Sequence, residues 1–246
     1  MKKRLDELLV EHGHVATRSR ARDAILRGLV RVDDAIVSKP GASIPLTAKL
    51  AVAPEAGTNY VSRGALKLIA ALDHFGFDPS GRTALDAGAS TGGFTQVLLE
   101  RGAARVIAID VGHSQLHPKI ASDPRVLSLE GQDIRTLDHA VIGTAPAAIT
   151  VDVSFISLTK VLPHLMERAA PRCWLVALIK PQFEVGRDAV GKGGIVRDEA
   201  ARAQAIETLS NLVTTTPGWT LMGVIPSPIE GGSGNTEYLM GLTRDG

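Results

Sequence analysis

Charged residues end two stretches of sequence that otherwise have the apolar pattern of buried strands. Asp152 ends the first stretch and Lys180 ends the second. Ligands of open α/β folds bind at the carboxyl edge of the sheet, where such strand-end residues lie. A lysine beside acids can orient and deprotonate a hydroxyl nucleophile, because its surroundings tune its charge. With Lys67 and Glu237 as further candidates, the pair predicts chemistry on a hydroxyl group. Each residue alone is equally compatible with a surface ion pair.

A glycine-rich turn, residues 85–95, lies between a predicted strand and a predicted helix. Its glycines let a ligand approach the backbone, and the first N–H groups of a helix attract anionic groups. The spacing matches neither the dinucleotide fingerprint nor the P-loop. Asp110 and Asp133 follow the next two strands, where acids reach the ribose hydroxyls and the adenine of a nucleoside. These features favour S-adenosylmethionine over NAD as the ligand, but the spacing alone does not decide between them. The spacing is also compatible with a tight turn whose acidic residues are solvated and bind no ligand.

The elements that must position these residues alternate between helix and strand. Helices are predicted around residues 64–75, from the glycine-rich turn to about residue 101, and around 158–169 and 197–213. Strands are predicted around residues 83–87, 105–110, 125–129, 147–153, 174–180, 220–225 and 237–242. Repeated strand–helix units predict a mostly parallel sheet with helices on both faces.

A smaller unit precedes these elements. Its sequence predicts a short amphipathic helix at 4–12, a second helix from Thr17 or Ser19 to about Arg27, and two short strands joined by Asp33-Asp34. Residues 51–58 are weakly patterned and contain a proline and a glycine, which sets the boundary. We therefore expect domains at 1–58 and 59–246.

The composition restricts the class of protein. The 246 residues are 44% hydrophobic, which excludes a disordered chain, and the single cysteine excludes an intrachain disulfide and suits a reducing cytoplasm. The net charge of +1 conceals an asymmetry, because residues 1–31 contain eight Lys or Arg and four Asp or Glu. Such asymmetry indicates contact with nucleic acid. The candidate RNA-binding residues are Lys2, Lys3, Arg4, Arg18, Arg20, Arg22 and Arg27.

Neither a membrane segment nor a metal site is expected. The longest stretch without charge, residues 208–229, contains three prolines, and acids follow the N-terminal basic residues at once. His113 and His117 have a spacing seen in metal sites but lack a nearby third ligand.

The sequence resembles the TlyA family, whose members carry the names of hemolysins and of ribosomal RNA 2′-O-methyltransferases. The resemblance covers almost the whole chain. The motifs that carry it are Arg4-Leu5-Asp6, Lys39-Pro40-Gly41, Tyr60-Val61-Ser62-Arg63-Gly64, Gly88 to Thr95, Asp110-Val111-Gly112, Asp152 to Leu158, Lys180-Pro181-Gln182-Phe183-Glu184 and Gly234-Asn235 with Glu237-Tyr238.

The resemblance implies a small α+β RNA-binding domain and a Rossmann-like class I methyltransferase domain of the FtsJ type. The latter has a seven-stranded, mostly parallel α/β sheet whose last strand is antiparallel. The resemblance also implies a catalytic tetrad of Lys67, Asp152, Lys180 and Glu237. The cofactor residues for S-adenosylmethionine would be Asp86, Gly88, Ser90, Thr91, Gly92, Gly93, Phe94, Asp110 and Asp133.

Transfer of a methyl group to a ribose 2′-hydroxyl of ribosomal RNA, on cytidine as the resemblance implies, is the expected activity. The partners would be ribosomal RNA or ribosomal subunits in the cytoplasm, without stable membrane association. The alternatives are a membrane-lytic hemolysin and a catalytically inactive RNA-binding assembly factor. The sequence departs from the family pattern at two places. Asp33-Asp34 replaces Asn-Gly in the N-terminal hairpin, and His113-Ser114 replaces the usual glycine before Gln115.

Overall fold

The computed structural model describes residues 2–15, 18–26, 28–52, 60–231 and 234–246. The chain divides into two compact units, Met1–Asn59 and Tyr60–Gly246. The sequence placed its boundary between residues 58 and 59.

The described residues of the first unit form two helices and five short strands. They are β1 (Lys2–Arg4), α1 (Leu5–Glu11), α2 (Arg18–Leu26), β2 (Val30–Val32), β3 (Ala35–Ile36), β4 (Ser43–Pro45) and β5 (Leu50–Val52). β1 pairs with β4, and β2 lies between β3 and β5, all antiparallel. The helices bury Leu5, Leu8, Leu9 and Ile25 in one apolar cluster. The two helices and the hairpin are as predicted. β1, β4 and β5 were not predicted, since each has three residues and little alternation.

The hairpin turn between β2 and β3 has an unusual backbone for its residue types. Asp33 and Asp34 have φ angles of 48° and 67°. Positive φ at both central positions is the conformation that twists two strands correctly, and Asn-Gly is its favoured sequence. The carboxylate of Asp33 accepts a hydrogen bond from the backbone N–H of Lys49 at 2.9 Å. That bond ties the turn to the chain leading into β5, so the aspartate offsets part of its backbone strain.

The second unit contains the alternating helices and strands that the sequence predicted, together with three four-residue helices that it did not, at Pro118–Ala121, His139–Ile142 and Pro181–Glu184. They are α3 (Gly64–Phe75), β6 (Thr83–Ala87), α4 (Gly93–Glu100), β7 (Arg105–Asp110), α5 (Pro118–Ala121), β8 (Val126–Glu130), α6 (His139–Ile142), β9 (Ala148–Val151), α7 (Leu162–Arg168), β10 (Trp174–Ile179), α8 (Pro181–Glu184), α9 (Glu199–Thr214), β11 (Trp219–Pro226) and β12 (Tyr238–Arg244), with 3-10 turns at Leu158–Lys160 and Arg187–Ala189. The helix predicted for 158–169 is thus a 3-10 turn followed by α7, with Pro163 in the first turn of α7.

All seven strands of this unit form one sheet in the order β11-β12-β10-β9-β6-β7-β8. β12 runs antiparallel to both of its neighbours, and the other described pairings are parallel. This confirms the seven-stranded, mostly parallel sheet with an antiparallel last strand.

Helices cover both faces of this sheet. On one face α3 and α4 contribute Leu68, Leu72, Val97 and Leu98 to a buried apolar cluster. On the other face α7 and α9 contribute Leu162, Leu165, Leu209 and Val213 to a second cluster. Strands buried on both sides are apolar throughout, as β10 is over all six residues. A charged residue at the end of such a strand is therefore held at a fixed height on the sheet edge.

The hairpin makes a prediction about stability. Asp34→Gly should raise the local opening free energy of the hairpin by roughly 0.5 kcal/mol, because glycine adopts positive φ without a steric cost. The opening free energy is measured by hydrogen exchange at the Val37 amide, which donates to the Val30 carbonyl at 3.1 Å. Asp33→Gly is the control, since it also removes the bond to Lys49 and should gain less. Faster exchange in Asp34→Gly would contradict the strain argument.

Candidate active site

Sheet register brings the strand-end residues to one edge. Ala87 pairs with Ile109 of β7 and with Val151 of β9. The residues that follow, Gly88, Asp110 and Asp152, therefore lie at the same height across three neighbouring strands. On the other side of β9, Ile179 of β10 pairs with Tyr238 of β12. Continuing that antiparallel register puts Lys180 beside Glu237.

Gly88 brings the glycine-rich turn against the end of β9, where the candidate residue Asp152 lies. It has a φ of 83°, and a Cβ atom there would collide with the backbone carbonyl of Asp152. Only glycine satisfies both the backbone angle and the contact. The turn after β6 is therefore packed directly on the end of β9, and the candidate cofactor turn adjoins Asp152.

Two oxygens hold the amine of Lys180. Its Nζ lies 2.6 Å from Asp152 Oδ1 and donates to Ser154 Oγ at 2.8 Å. A protonated lysine has three N–H donors. Ser154 takes one of them, whereas the contact with Asp152 Oδ1 is an ion pair without hydrogen-bond geometry, so N–H donors remain for a substrate atom. Ser154 is a site residue that the sequence did not single out, because a serine in a loop carries no spacing signal.

A second ion pair joins Lys67 of α3 to Glu237, 170 residues later. The Lys67 Nζ to Glu237 Oε2 distance is 2.5 Å, and both side chains are buried. A Cβ atom at Gly231 would collide with the other Glu237 oxygen, so this loop passes close over the carboxylate. The structure thus organises the four predicted catalytic residues as two pairs, Lys67–Glu237 and Lys180–Asp152.

Asp86 lies beneath the turn rather than on its surface. It is fully buried, and its two oxygens accept hydrogen bonds from Thr95 Oγ1 at 2.6 Å and Thr150 Oγ1 at 2.9 Å. Burial raises the pKa of Asp86 from 3.8 to about 6, against the lowering effect of the two threonine bonds, and the charge of Asp152 raises it further. Asp86 therefore ties α4 to β9 from inside the fold.

Asp110 remains available to a ligand. Its carboxylate accepts the backbone N–H groups of Ser90 and Gly112, each at 2.8 Å. A carboxylate has about four acceptor positions, so two are left for ribose hydroxyls. The N–H bonds also fix its orientation towards the glycine-rich turn.

Asp133 is occupied by a neighbour. Both of its oxygens receive hydrogen bonds from the Arg135 guanidinium, at 2.5 to 3.0 Å, and Arg135 holds its pKa below the usual value. A contact between Asp133 and an adenine amino group would require Arg135 to move.

The remaining turn residues shape the backbone. Gly92 has a φ of 93° and precedes α4, and side chains at Gly92 or Gly93 would collide with Leu116 and Ser62 respectively. Ser90 has a φ of 47° and contacts Gln115 through its hydroxyl at 3.2 Å. Thr91 accepts the His117 N–H through its carbonyl. Phe94 is buried in the apolar cluster under α3.

Glu130 clamps the loop that follows Asp110. Its carboxylate accepts the backbone N–H groups of Ser114, Gln115 and Leu116, at 2.9, 2.6 and 3.0 Å. Ser114 has a φ of 54° at the position where the family pattern has glycine. The three bonds offset that backbone cost. Local sequence patterns do not reveal this clamp, because the partners are 14 to 16 residues apart.

Several of the candidate RNA-binding cations are paired with acids inside the first unit. Asp6, fully buried, accepts from Arg4 at 2.9 Å and from Arg18 at 3.1 Å, and Lys3 contacts Glu11 at 2.8 Å. The pairings lower the pKa of Asp6 to about 2. The two guanidiniums are half exposed and keep N–H donors that Asp6 does not use.

The other candidate cations are less informative. Lys2 and Arg22 are exposed. Arg27 and the side chain of Arg20 lie outside the described residues.

Among the described residues, no helix is long and apolar enough to cross a membrane. In the same ranges, no group of three or more His, Cys, Asp or Glu side chains is arranged to hold a metal ion.

Comparison with known proteins places both units. The sequence profile of FtsJ-like methyltransferases matches residues 60–244, and that of the S4 domain matches residues 3–44. The chain is 44% identical over 97% of its length to the 16S/23S rRNA (cytidine-2′-O)-methyltransferase TlyA of Mycobacterium tuberculosis, covering 89% of that protein.

Two further relatives carry the hemolysin name. Hemolysin A of Brachyspira hyodysenteriae is 40% identical over 96% of this chain and 98% of its own length. The solved structure of a protein described as a candidate hemolysin from Streptococcus thermophilus has a TM-score of 0.78 and 38% identity, covering 99% of this chain and 89% of that one.

The burial of Asp86 predicts a pH-dependent stability. Because the folded protein holds the Asp86 proton up to about pH 6, whereas the unfolded chain releases it near 3.8, Asp86 should cost stability as pH rises between these values. Asp86→Asn should remove that loss, so the stability difference between wild type and variant should shift towards the variant from pH 4 to pH 6.

Urea unfolding at several pH values measures this difference. Asp73→Asn, at an exposed carboxylate, is the matched control and should follow the wild type. If the free energies of unfolding of wild type and Asp86→Asn changed with pH in parallel, folding would not raise the pKa of Asp86.

Proposed function

The chain belongs to the TlyA family of FtsJ-like methyltransferases, and we propose that it transfers the methyl group of S-adenosylmethionine to a cytidine 2′-hydroxyl of ribosomal RNA. One observation carries the proposal: Lys180 lies at the sheet edge next to the glycine-rich turn, ion-paired with Asp152 and hydrogen-bonded to Ser154, with N–H donors left for a substrate atom. The relative from Mycobacterium tuberculosis that is named for this reaction aligns with nearly the whole chain.

The described residues fit an S-adenosylmethionine ligand. Gly88 brings the turn against Asp152, and Asp110 keeps acceptor positions for the ribose hydroxyls. The carboxylates of Asp110 and Asp152 lie at the same edge, where they attract a sulfonium cation. When bound, the cofactor supplies an electrophilic methyl group.

The chain's own residues orient and activate the hydroxyl. After Lys180 has released one proton to solvent, its Nζ accepts the 2′-hydroxyl proton as the 2′-oxygen attacks the methyl group, and Asp152 stabilises the ammonium that results. The second pair, Lys67–Glu237, completes the polar wall of the site. In-line methyl transfer depends mainly on orientation, which a rigid pair of ion pairs supplies.

The first unit supplies RNA affinity in this proposal. Asp6 holds the Arg4 and Arg18 guanidiniums in fixed positions, and their remaining donors suit phosphate oxygens. Phosphate contacts give affinity and register but little sequence information, so the target nucleotide must be accessible or flipped to reach Lys180. Ribosomal subunits as substrate place the protein in the cytoplasm.

The hemolysin name of the Brachyspira relative supports a second candidate, a membrane-lytic activity. Lysis by the purified protein that survives combined Asp152→Ala and Lys180→Ala substitution would favour it. Lysis that depends on both residues would instead trace the effect to methyl transfer.

Lys180→Ala should abolish methyl transfer. Loss of the activating amine should lower turnover by roughly 10²–10⁴-fold. The assay follows labelled methyl groups into isolated ribosomal subunits, with mass spectrometry to identify 2′-O-methylcytidine. Binding of S-adenosylhomocysteine, measured by calorimetry, should match the wild type and shows that the fold is intact. Normal turnover in the variant would refute the role of Lys180, and a wild type that binds cofactor but methylates neither subunit would favour an inactive assembly factor.

Arg4→Ala and Arg18→Ala should each weaken binding to ribosomal RNA. Each substitution should reduce the slope of log affinity against log salt by about 1, because one phosphate contact is lost. Filter binding at several salt concentrations measures the slope. Arg101→Ala, at an exposed ion pair of the second unit, is the control. Unchanged slopes in both variants would show that these arginines only stabilise the fold.

A further inference from the structure

We infer that Glu184 is a positioning residue for the catalytic lysine, because it fixes the 153–158 segment on which the lysine's partner Ser154 lies. The inference rests on the proposed function of Lys180. Glu184 ends the Lys180–Glu184 motif, but the resemblance assigns it no role, and no described hydrogen bond joins it to Lys180 or Asp152.

Glu184 holds the far end of that segment with both carboxylate oxygens. Oε2 accepts the Ser157 hydroxyl at 2.6 Å, and Oε1 accepts the Leu158 N–H at 2.8 Å. Burial raises the pKa of Glu184, against the lowering effect of these two bonds. A half-buried carboxylate with both oxygens bonded to one short segment is an effective anchor, because leaving a partly buried partner unsatisfied is costly.

The near end of the segment is held by Lys180 itself. Lys180 immediately precedes α8 and contacts Asp152 and Ser154, and Glu184 is the last residue of the same four-residue helix. Between these two attachments Phe155 and Phe183 have ring centroids 5.2 Å apart. The 153–158 segment and α8 are therefore fastened together along their lengths, with Lys180 at one end and Glu184 at the other.

The segment needs such an anchor because its own conformation is unfavourable. Phe155 has a φ of 65° and a side chain 91% exposed. A left-handed backbone costs a residue other than glycine roughly 1–2 kcal/mol, and an exposed ring recovers little of this by burial. Ser154 is also exposed, so packing alone does not fix its hydroxyl. Val153, Ile156 and Leu158 attach the segment to the apolar core. The Glu184 bonds add polar attachments on the far side of the strained residue and so help to keep Ser154 Oγ within 2.8 Å of Lys180 Nζ.

The expected consequence is a loss of catalysis without a loss of cofactor binding. Glu184→Ala removes both acceptors, and we expect kcat to fall by about 10-fold or more, since small displacements of catalytic groups have effects of that size. Glu184→Gln keeps a carbonyl for the Leu158 N–H and an amide that can pair with Ser157, so it should recover most of kcat. KM for S-adenosylmethionine should stay within about twofold in both, because no described hydrogen bond joins Gly88 or Asp110 to residues 153–158, and Gly88 contacts only the end of the segment next to β9.

The experiment measures kcat and both KM values on ribosomal subunits for wild type, Glu184→Ala, Glu184→Gln and Ser157→Ala. Glu199→Gln, at an exposed carboxylate of α9, is the matched control and should keep wild-type kinetics. Hydrogen exchange across residues 153–158, without substrate, is measured on the same proteins. We expect faster exchange in Glu184→Ala than in Glu184→Gln.

Wild-type kcat in Glu184→Ala would overturn the inference. So would an equal fall of kcat in the alanine and glutamine variants, or an increase in the KM for S-adenosylmethionine that matches the loss of kcat. If Glu184→Ala does not fold, Ser157→Ala must show the selective loss of kcat for the inference to hold. If the wild type itself does not methylate RNA, the proposed function fails, and the exchange comparison still decides whether Glu184 anchors the segment.

Discussion

The contact between Gly88 and the backbone of Asp152 sets the geometry on which the candidate site depends. Because no side chain fits at position 88, the turn after β6 lies directly on the end of β9. Asp86 reinforces the same junction from below, since it bonds to Thr95 of α4 and Thr150 of β9. The cofactor turn and the catalytic acid are therefore fixed relative to each other by backbone packing and by one buried carboxylate. A reaction governed by in-line orientation requires this kind of rigidity.

Carboxylates have two different tasks at this sheet edge. Asp152 and Glu237 each pair with a lysine, whereas Glu130 and Glu184 accept backbone N–H groups from loops. The second task matters because both loops contain a residue other than glycine at positive φ, Ser114 in one and Phe155 in the other. Each loop thus carries local strain beside the ligand, and a carboxylate from a regular element holds it. Chemistry and loop conformation are supported by separate acids.

The sequence predicted the regular elements and the strand-end charges because both follow from local patterns. Apolar runs marked β9 and β10, and a charge directly after each run identified Asp152 and Lys180. Local patterns do not reveal Ser154 or Glu184, whose bonds join residues 26 or 27 positions apart and depend on the finished fold. Charge counting also could not show that Arg4 and Arg18 share Asp6, or that Arg135 occupies Asp133. Only the structure shows which carboxylates already have a charged partner. It favours Asp110 over Asp133 as a ligand contact.

The division of charge along the chain follows from the same chemistry. Residues 1–31 carry a net +4, so the rest of the chain sums to −3 within a total of +1. In the proposed function, the methyltransferase unit needs carboxylates to attract a sulfonium and to hold lysines and loops. Its net charge is therefore unsuited to attracting a polyanion by itself. RNA affinity in the same proposal comes largely from cations elsewhere, and the small unit offers guanidiniums that one buried carboxylate holds in place. Because counterion release makes such phosphate contacts strong and largely independent of sequence, the choice of nucleotide is left to access to Lys180. The near-neutral total charge is thus the sum of two opposite requirements, one for holding RNA and one for holding the reacting groups.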